Sequence, residues 1–143
     1  MIQLALGIII MCANGFLYGL VLASAATPLE KVKYWHGQKP GIIRQTSAMS
    51  LSILVVMVAH MVSVFIWAAV FILLSIFSTV KDAVYFSLVA YTTLGFGDII
   101  LDEPWRILSG IVAANGFLLF GWSTAFQIEF LSDIRNSNKT ISN

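Results

Sequence analysis

Charge is what this sequence has least of. Only 10% of its 143 residues are Asp, Glu, Lys or Arg, against about 25% in a water-soluble domain. Hydrophobic residues make up 59%, so a bilayer rather than water is the solvent for most of the chain. The formal net charge is only +1, which leaves no basic footprint for nucleic acid. The single cysteine, Cys12, lies in an apolar run and has no partner for an internal disulfide. Zinc-ligand spacings, a glycine-rich phosphate loop and a nucleophile–base motif are all missing, so neither enzyme chemistry nor a cofactor has residues to rest on. No repeat of 20–50 residues is present. None of the apolar runs carries a ladder of arginines, which excludes a voltage-sensor helix.

Three apolar runs are what the chain does have. The first, residues 2–26, reads as a transmembrane helix. A cleaved signal peptide ending at Ala23–Ser24–Ala25 is the alternative, but no Lys or Arg precedes the run and it is longer than a usual apolar signal core. Gly15, Gly19 and Ala23 recur every four residues, a spacing that lets a second helix approach closely, and Asn14 beside them can hydrogen-bond a neighbour. Residues 27–46 are polar, with Lys31, Lys33, Lys39 and Arg44 against Glu30. Pro28 suits a helix start, and Tyr34 and Trp35 suit the headgroup level. The segment reads either as a short interfacial helix over Pro28–His36 followed by a turn at Pro40–Gly41, or as a solvated loop.

The second run, residues 47–79, exceeds one perpendicular span and is expected to tilt or project. His60 lies inside it. An ionisable residue at membrane depth is a functional candidate, and a neutral histidine bonded to a neighbouring helix is the plainer reading. Asp82 is placed to cap a short helix over residues 82–92. A third run over residues 105–130, opened by Trp105 and Arg106, is again long enough to cross. A short polar tail, 131–143, follows.

Between the last two runs stands Thr92–Thr93–Leu94–Gly95–Phe96–Gly97–Asp98. Glycine tolerates positive φ, so Gly95 and Gly97 let successive carbonyls turn to one side, where a strand would alternate them. Carbonyls of Thr93, Leu94, Gly95 and Phe96, with the Thr93 hydroxyl, then form stacked oxygen rings when several copies meet on an axis. The plainer reading of a glycine pair is a turn. The stretch resembles the selectivity filter of potassium channels, Thr-Val-Gly-Tyr-Gly-Asp, with Leu94 and Phe96 as replacements. Phenylalanine at that place is familiar in two-pore-domain potassium channels. Phe120–Gly121–Trp122–Ser123–Thr124–Ala125 is similar to the inner helix of simple bacterial potassium channels.

The resemblance covers residues 47–130 and not the first run. Together with the first run it implies an all-α membrane protein of three transmembrane helices, with a re-entrant pore helix (82–92) and a filter loop (93–98) between an outer helix (47–79) and an inner helix (105–130). It implies a homotetramer, because one loop cannot encircle an ion, passing K+ through a lipid bilayer with ion-binding positions at Thr93, Leu94, Gly95, Phe96 and Gly97. Thr92, Tyr85, Phe86 and Asp98 are the expected filter supports. Val89 replaces a glutamate that holds the filter aspartate in some of these channels. Gly116 falls at the hinge position, which puts Phe117, Phe120, Thr124 and Ile128 on a pore-facing stripe, or in ordinary packing. Glu129 would contribute an acidic ring at the inner mouth, or be a solvated helix end.

The basic segment 27–46 is expected on the cytoplasmic side. That puts the N-terminus outside, the C-terminus inside, and the filter with Asp98, Asp102 and Glu103 facing outward. A non-selective cation channel and a non-conducting sensor subunit with the same pore fold are the competing readings.

Overall fold

The computed structural model describes residues 1–37 and 42–141, and every regular element among them is helical. Helix α1 spans Ile2–Gly37, α2 spans Ile42–Leu73, α3 spans Val80–Tyr91, and α4 spans Arg106–Ile141, with one 3-10 turn at Glu103–Trp105 leading into α4. The stretches Ile2–Ala25, Thr46–Leu73 and Glu103–Ile134 are long and apolar enough to cross a membrane. The shortest, at 24 residues, reaches about 36 Å at 1.5 Å per residue, against about 30 Å of hydrocarbon. This is the all-helical, three-span architecture with one short helix that the apolar runs imply.

Several boundaries differ from the expected ones, each for a local reason. Helix α2 stops at Leu73 rather than 79. Ser75 takes a left-handed conformation (φ 55°). The Ile76 amide then bonds the Phe71 carbonyl, and the Ser75 amide bonds that of Ile72, both at 2.9 Å. This is a Schellman ending with serine in the place usually held by glycine. The N-cap of α3 is Thr79, not Asp82. Thr79 sits at φ −120°, ψ 140°, and its hydroxyl accepts from the Asp82 amide at 3.1 Å while donating to the Asp82 carboxylate at 2.6 Å. Asp82, at the third helical position, thus pairs with the cap through its amide and its carboxylate, both on the Thr79 hydroxyl.

Helix α1 continues through Pro28 to Gly37 as one helix, with no separate interfacial element, because propagating a formed helix costs less than nucleating a new one. The expected turn at Pro40–Gly41 lies outside the described residues. Helix α4 likewise runs past 130 to Ile141, a stretch without glycine or proline to break it.

The contacts set the relative directions of the helices. Gly7 on α1 faces Leu108 and Ile111 on α4, Asn14 meets Asn115, and Gly19 faces Trp122. Both series ascend together, so α1 and α4 run parallel. On α2, His60 pairs with Ser123 and Trp67 with Asn115, so α2 runs against both. The close approaches on α1 are therefore at Gly7 and Gly19, while the space around Gly15 is open. The start of α1 lies at the same end as the start of α4. Helix α3 is wedged between α2 and α4, anchored by Phe86 against Phe71 (centroids 5.3 Å) and Phe77 (5.4 Å). The core of Trp67, Phe71, Tyr91, Leu108 and Val112 fills the junction. Ile8, Ile9, Phe16 and Leu20 on α1 point outward, as lipid-facing residues do.

Candidate functional site

The segment after α3 departs from ordinary backbone at every second residue. Thr93, Gly95 and Gly97 have φ of 58°, 57° and 78°, while Leu94 and Phe96 between them do not share that sign. Alternation of left-handed and ordinary residues turns successive carbonyls to one side, which a run of either kind alone does not. The amides point the other way, back into α3. Thr92 N–H bonds the Leu88 carbonyl, Thr93 that of Ala90, and Leu94 that of Val89, each at 3.0 Å, and Gly95 shares Val89 at 3.4 Å. The carbonyl ends of α3 thereby receive the donors of the loop, and the loop's own carbonyls stay free. Thr93 was not legible as a left-handed position, since a β-branched residue there is a strained exception.

Of the expected supports, Tyr85 and Asp98 are joined directly. The Tyr85 hydroxyl donates to an Asp98 carboxylate oxygen at 2.6 Å, closing the far end of the loop onto α3. This bond raises the Tyr85 phenol above its ordinary pKa. The Thr92 hydroxyl bonds the Leu88 carbonyl at 2.7 Å and so locks the turn that leaves α3. Phe86 is buried against Phe71 and Phe77, which anchors α3, and it also borders the cleft behind the loop beside Thr93 and Gly95. Behind the loop a cleft of about 360 Å³ opens, bordered by Thr93, Gly95, Arg106 and Gly110. The Arg106 Nε–H reaches the Leu101 carbonyl at 3.3 Å and holds the connection into α4. Leu94 and Phe96 are 58% and 65% exposed on the free side of the chain.

On α4, Gly116 sits where the end of α3 meets the inner helix: a Cβ there would overlap the Tyr91 carbonyl oxygen. Close approach, independent of any hinge, calls for glycine at this position. The stripe divides. Phe117 and Ile128 are exposed, with Thr124 beside them. Phe120 is turned partly inward, its ring 4.3 Å from His60 and 5.7 Å from Tyr91 between centroids. Glu129 is exposed near the other end of α4 and is remote from the loop.

His60 is satisfied by its neighbours. Nδ1 lies 2.9 Å from the Tyr91 hydroxyl, and Nε2 lies 3.1 Å from the Tyr18 hydroxyl and 3.2 Å from Ser123 Oγ. One helix turn and more away, Asn115 Oδ1 accepts from Asn14 Nδ2 at 2.6 Å and from the Trp67 indole at 2.9 Å. Sequence spacing alone carries no signal for either cluster, because each joins three or four helices. Among the described residues no group of three His, Cys, Asp or Glu is placed to hold a metal ion.

A family model described as "Ion channel" matches residues 59–133, just over half of the chain. The match takes in the second half of α2 from residue 59, all of α3, the loop and most of α4, and leaves out α1. No curated protein and no solved structure matches the chain.

Proposed function

Since the chain belongs to this ion channel family, we propose that it is the subunit of a homotetrameric potassium channel whose four Thr93–Gly97 loops line one axial pathway. It is a multi-pass membrane protein and an ion channel, not an enzyme. The observation that carries the selectivity reading is the alternation of left-handed residues at 93, 95 and 97, with the Thr93, Leu94 and Gly95 amides turned back into α3. It leaves the carbonyls of Thr93, Leu94, Gly95 and Phe96 free to replace the water shell of K+. One chain supplies oxygens on one side of the ion only, so the ring has to be completed by copies, and four are required. The exposed Leu94, Phe96, Phe117 and Ile128 and the open cleft behind the loop are surfaces that such neighbours would cover.

The sidedness follows from charge. The starts of α1 and α4 share one end of the molecule, the Asp98 end of the loop leads into that start of α4, and the end of α1 and the start of α2, which flank the most basic part of the sequence, lie at the other end. Positive residues favour the cytoplasmic side, which puts the N-terminus and the filter mouth outside and the C-terminus inside. Asp98, Asp102 and Glu103 would then gather cations at the entrance. Thr92, Tyr85 and Asp98 brace the filter, Phe86 anchors α3, and Glu129 lies toward the inner mouth. Gating falls to the α4 stripe at Phe117, Thr124 and Ile128, with Phe120 at its edge, where an apolar constriction closes by dewetting. K+ is the cargo.

Purified protein in liposomes tests the proposal. A reversal potential that follows the K+ gradient in mixed K+ and Na+ is the expected result. Equal permeability would make it a non-selective cation channel, and no flux a pore-fold protein without conduction.

A further inference from the structure

Helix α1 lies outside the matched residues, yet it buries two polar side chains one turn apart, Asn14 and Tyr18, at 1% and 2% exposure. At membrane depth a polar group without a partner is costly, so the partners of these two say what α1 is for. Both lead to one place. Tyr18 reaches His60 Nε2, and His60 Nδ1 reaches the hydroxyl of Tyr91. Asn14 reaches Asn115, the neighbour of Gly116, and Gly116 is the residue on which the Tyr91 carbonyl rests. Tyr91 is the last residue of α3, two positions before Thr93. One tie from α1 thus grips its side chain, and the other holds the helix against which its backbone is pressed.

We propose that α1 is a filter-positioning helix, in which Tyr18, acting through His60, fixes Tyr91 and with it the foot of the filter at Thr93. This rests on the filter reading above. The hydrogens can be placed consistently. Ser123 Oγ donates to the Phe120 carbonyl at 2.9 Å, so it accepts from Nε2–H of His60, as does Tyr18. Nδ1 is then left to accept from the Tyr91 hydroxyl.

The groups facing His60 are Tyr18 from α1, Tyr91 from α3, and Ser123 and Phe120 from α4. None is a carboxylate, so a proton added to His60 has no counter-charge here. The resulting cation must draw water or open the junction. A relay that positions Tyr91 is therefore acid-sensitive, and one that merely fills space is not.

Hydrogen exchange by mass spectrometry, on the full chain reconstituted in nanodiscs, reads the foot of the filter without requiring conduction. In Tyr18→Phe, amides over Thr92–Gly97 should exchange about three- to tenfold faster, the worth of one hydrogen bond, while those over Val84–Leu88 stay unchanged. Tyr18→Phe with Tyr91→Phe should be no faster than Tyr91→Phe alone, since both cut one chain. Acidification from about pH 7.5 to about 5.5 should lower the protection of the same amides in the wild type, measured at each pH against the Val84–Leu88 amides so that the intrinsic slowing of exchange in acid cancels. His60→Gln, whose amide keeps a donor and an acceptor, should remove that response.

Parallel reversal potentials should show a lower K+/Na+ permeability ratio in Tyr18→Phe. A wild type without K+ selectivity would overturn the filter reading, while the exchange pattern would still decide the relay. Unchanged Thr92–Gly97 exchange in Tyr18→Phe, or fully additive effects in the double variant, would overturn the relay. If Tyr18→Phe does not assemble, an acid response in His60→Gln equal to that of the wild type overturns it as well.

Discussion

Replacing Gly116 by alanine puts the most weight on the smallest change. The added Cβ would overlap the Tyr91 carbonyl oxygen, and would lie 2.8 Å from its carbon and 3.1 Å from Tyr91 Cγ. Two of these atoms are backbone, so no side-chain rotation relieves the contact, and α3 or α4 has to move. Overpacking of this kind costs about 1–3 kcal/mol, and the better helix propensity of alanine returns about 1 kcal/mol at most. Because two of the contacted atoms are backbone, the upper part of that range applies, about 2–3 kcal/mol, and a net loss of about 1–2 kcal/mol per subunit is expected. Where the displacement goes matters more. Tyr91 ends α3 and its hydroxyl is bound to His60, so a shifted Tyr91 carries Thr93 with it and selectivity should fall along with stability. Were Gly116 only a hinge, alanine would change opening and leave the K+/Na+ permeability ratio alone. Thermal unfolding of the purified protein and reversal potentials in mixed ions separate the two. Gly15→Ala is the control: nothing lies within 4 Å of its Cβ, so it should be neutral or stabilising by about 0.5–1 kcal/mol. A Gly116→Ala protein with wild-type Tm and wild-type permeability ratio would refute the reasoning.

Gly95→Ala meets no clash within the chain, but its φ of 57° costs a side chain about 1–2 kcal/mol in each subunit; reversal potentials should show K+ preference lost, and an unchanged ratio would count against the filter assignment. The Tyr85–Asp98 bond raises the folded-state pKa of Tyr85 above the ordinary 10.0 of a tyrosine phenol. Its contribution is therefore fully present below pH 10 and lost as pH rises through the raised value, so the filter should loosen only in strong alkali, a loss that Tyr85→Phe abolishes in thermal scans across that range. Phe117→Ser should wet the inner pathway and raise open probability in single-channel records, whereas Phe120→Ser, which removes a ring packed on His60 and Tyr91, should disturb selectivity more than opening.

The fold class was legible because a membrane solvent simplifies the problem. Every backbone polar group has to be satisfied inside the span, so long apolar runs become helices with little competition. The ends were less legible. Ser75 closes α2 in a conformation that serine seldom takes, and the capping threonine of α3 stands three residues before the aspartate that pattern alone selects. In the candidate site, the left-handed turns at Gly95 and Gly97 follow from residue type, and Thr93 between two ordinary residues does not.

The greatest loss of information is in the polar junction. Asn14 and His60 stand out in sequence as polar residues at membrane depth, but their partners Tyr18, Tyr91 and Asn115 do not, and no periodicity relates a residue on α1 to one 42 or 101 positions away. Their meaning comes from the parallel course of α1 and α4 with α2 running against them, which brings three separate turns to one depth. That depth is the foot of the Thr93–Gly97 loop. A helix needed only to cross the membrane has no reason to bury an asparagine and a tyrosine there, since leucine or alanine would pack at lower cost in polar desolvation. Its two buried polar side chains are better accounted for by what they hold than by the helix that carries them.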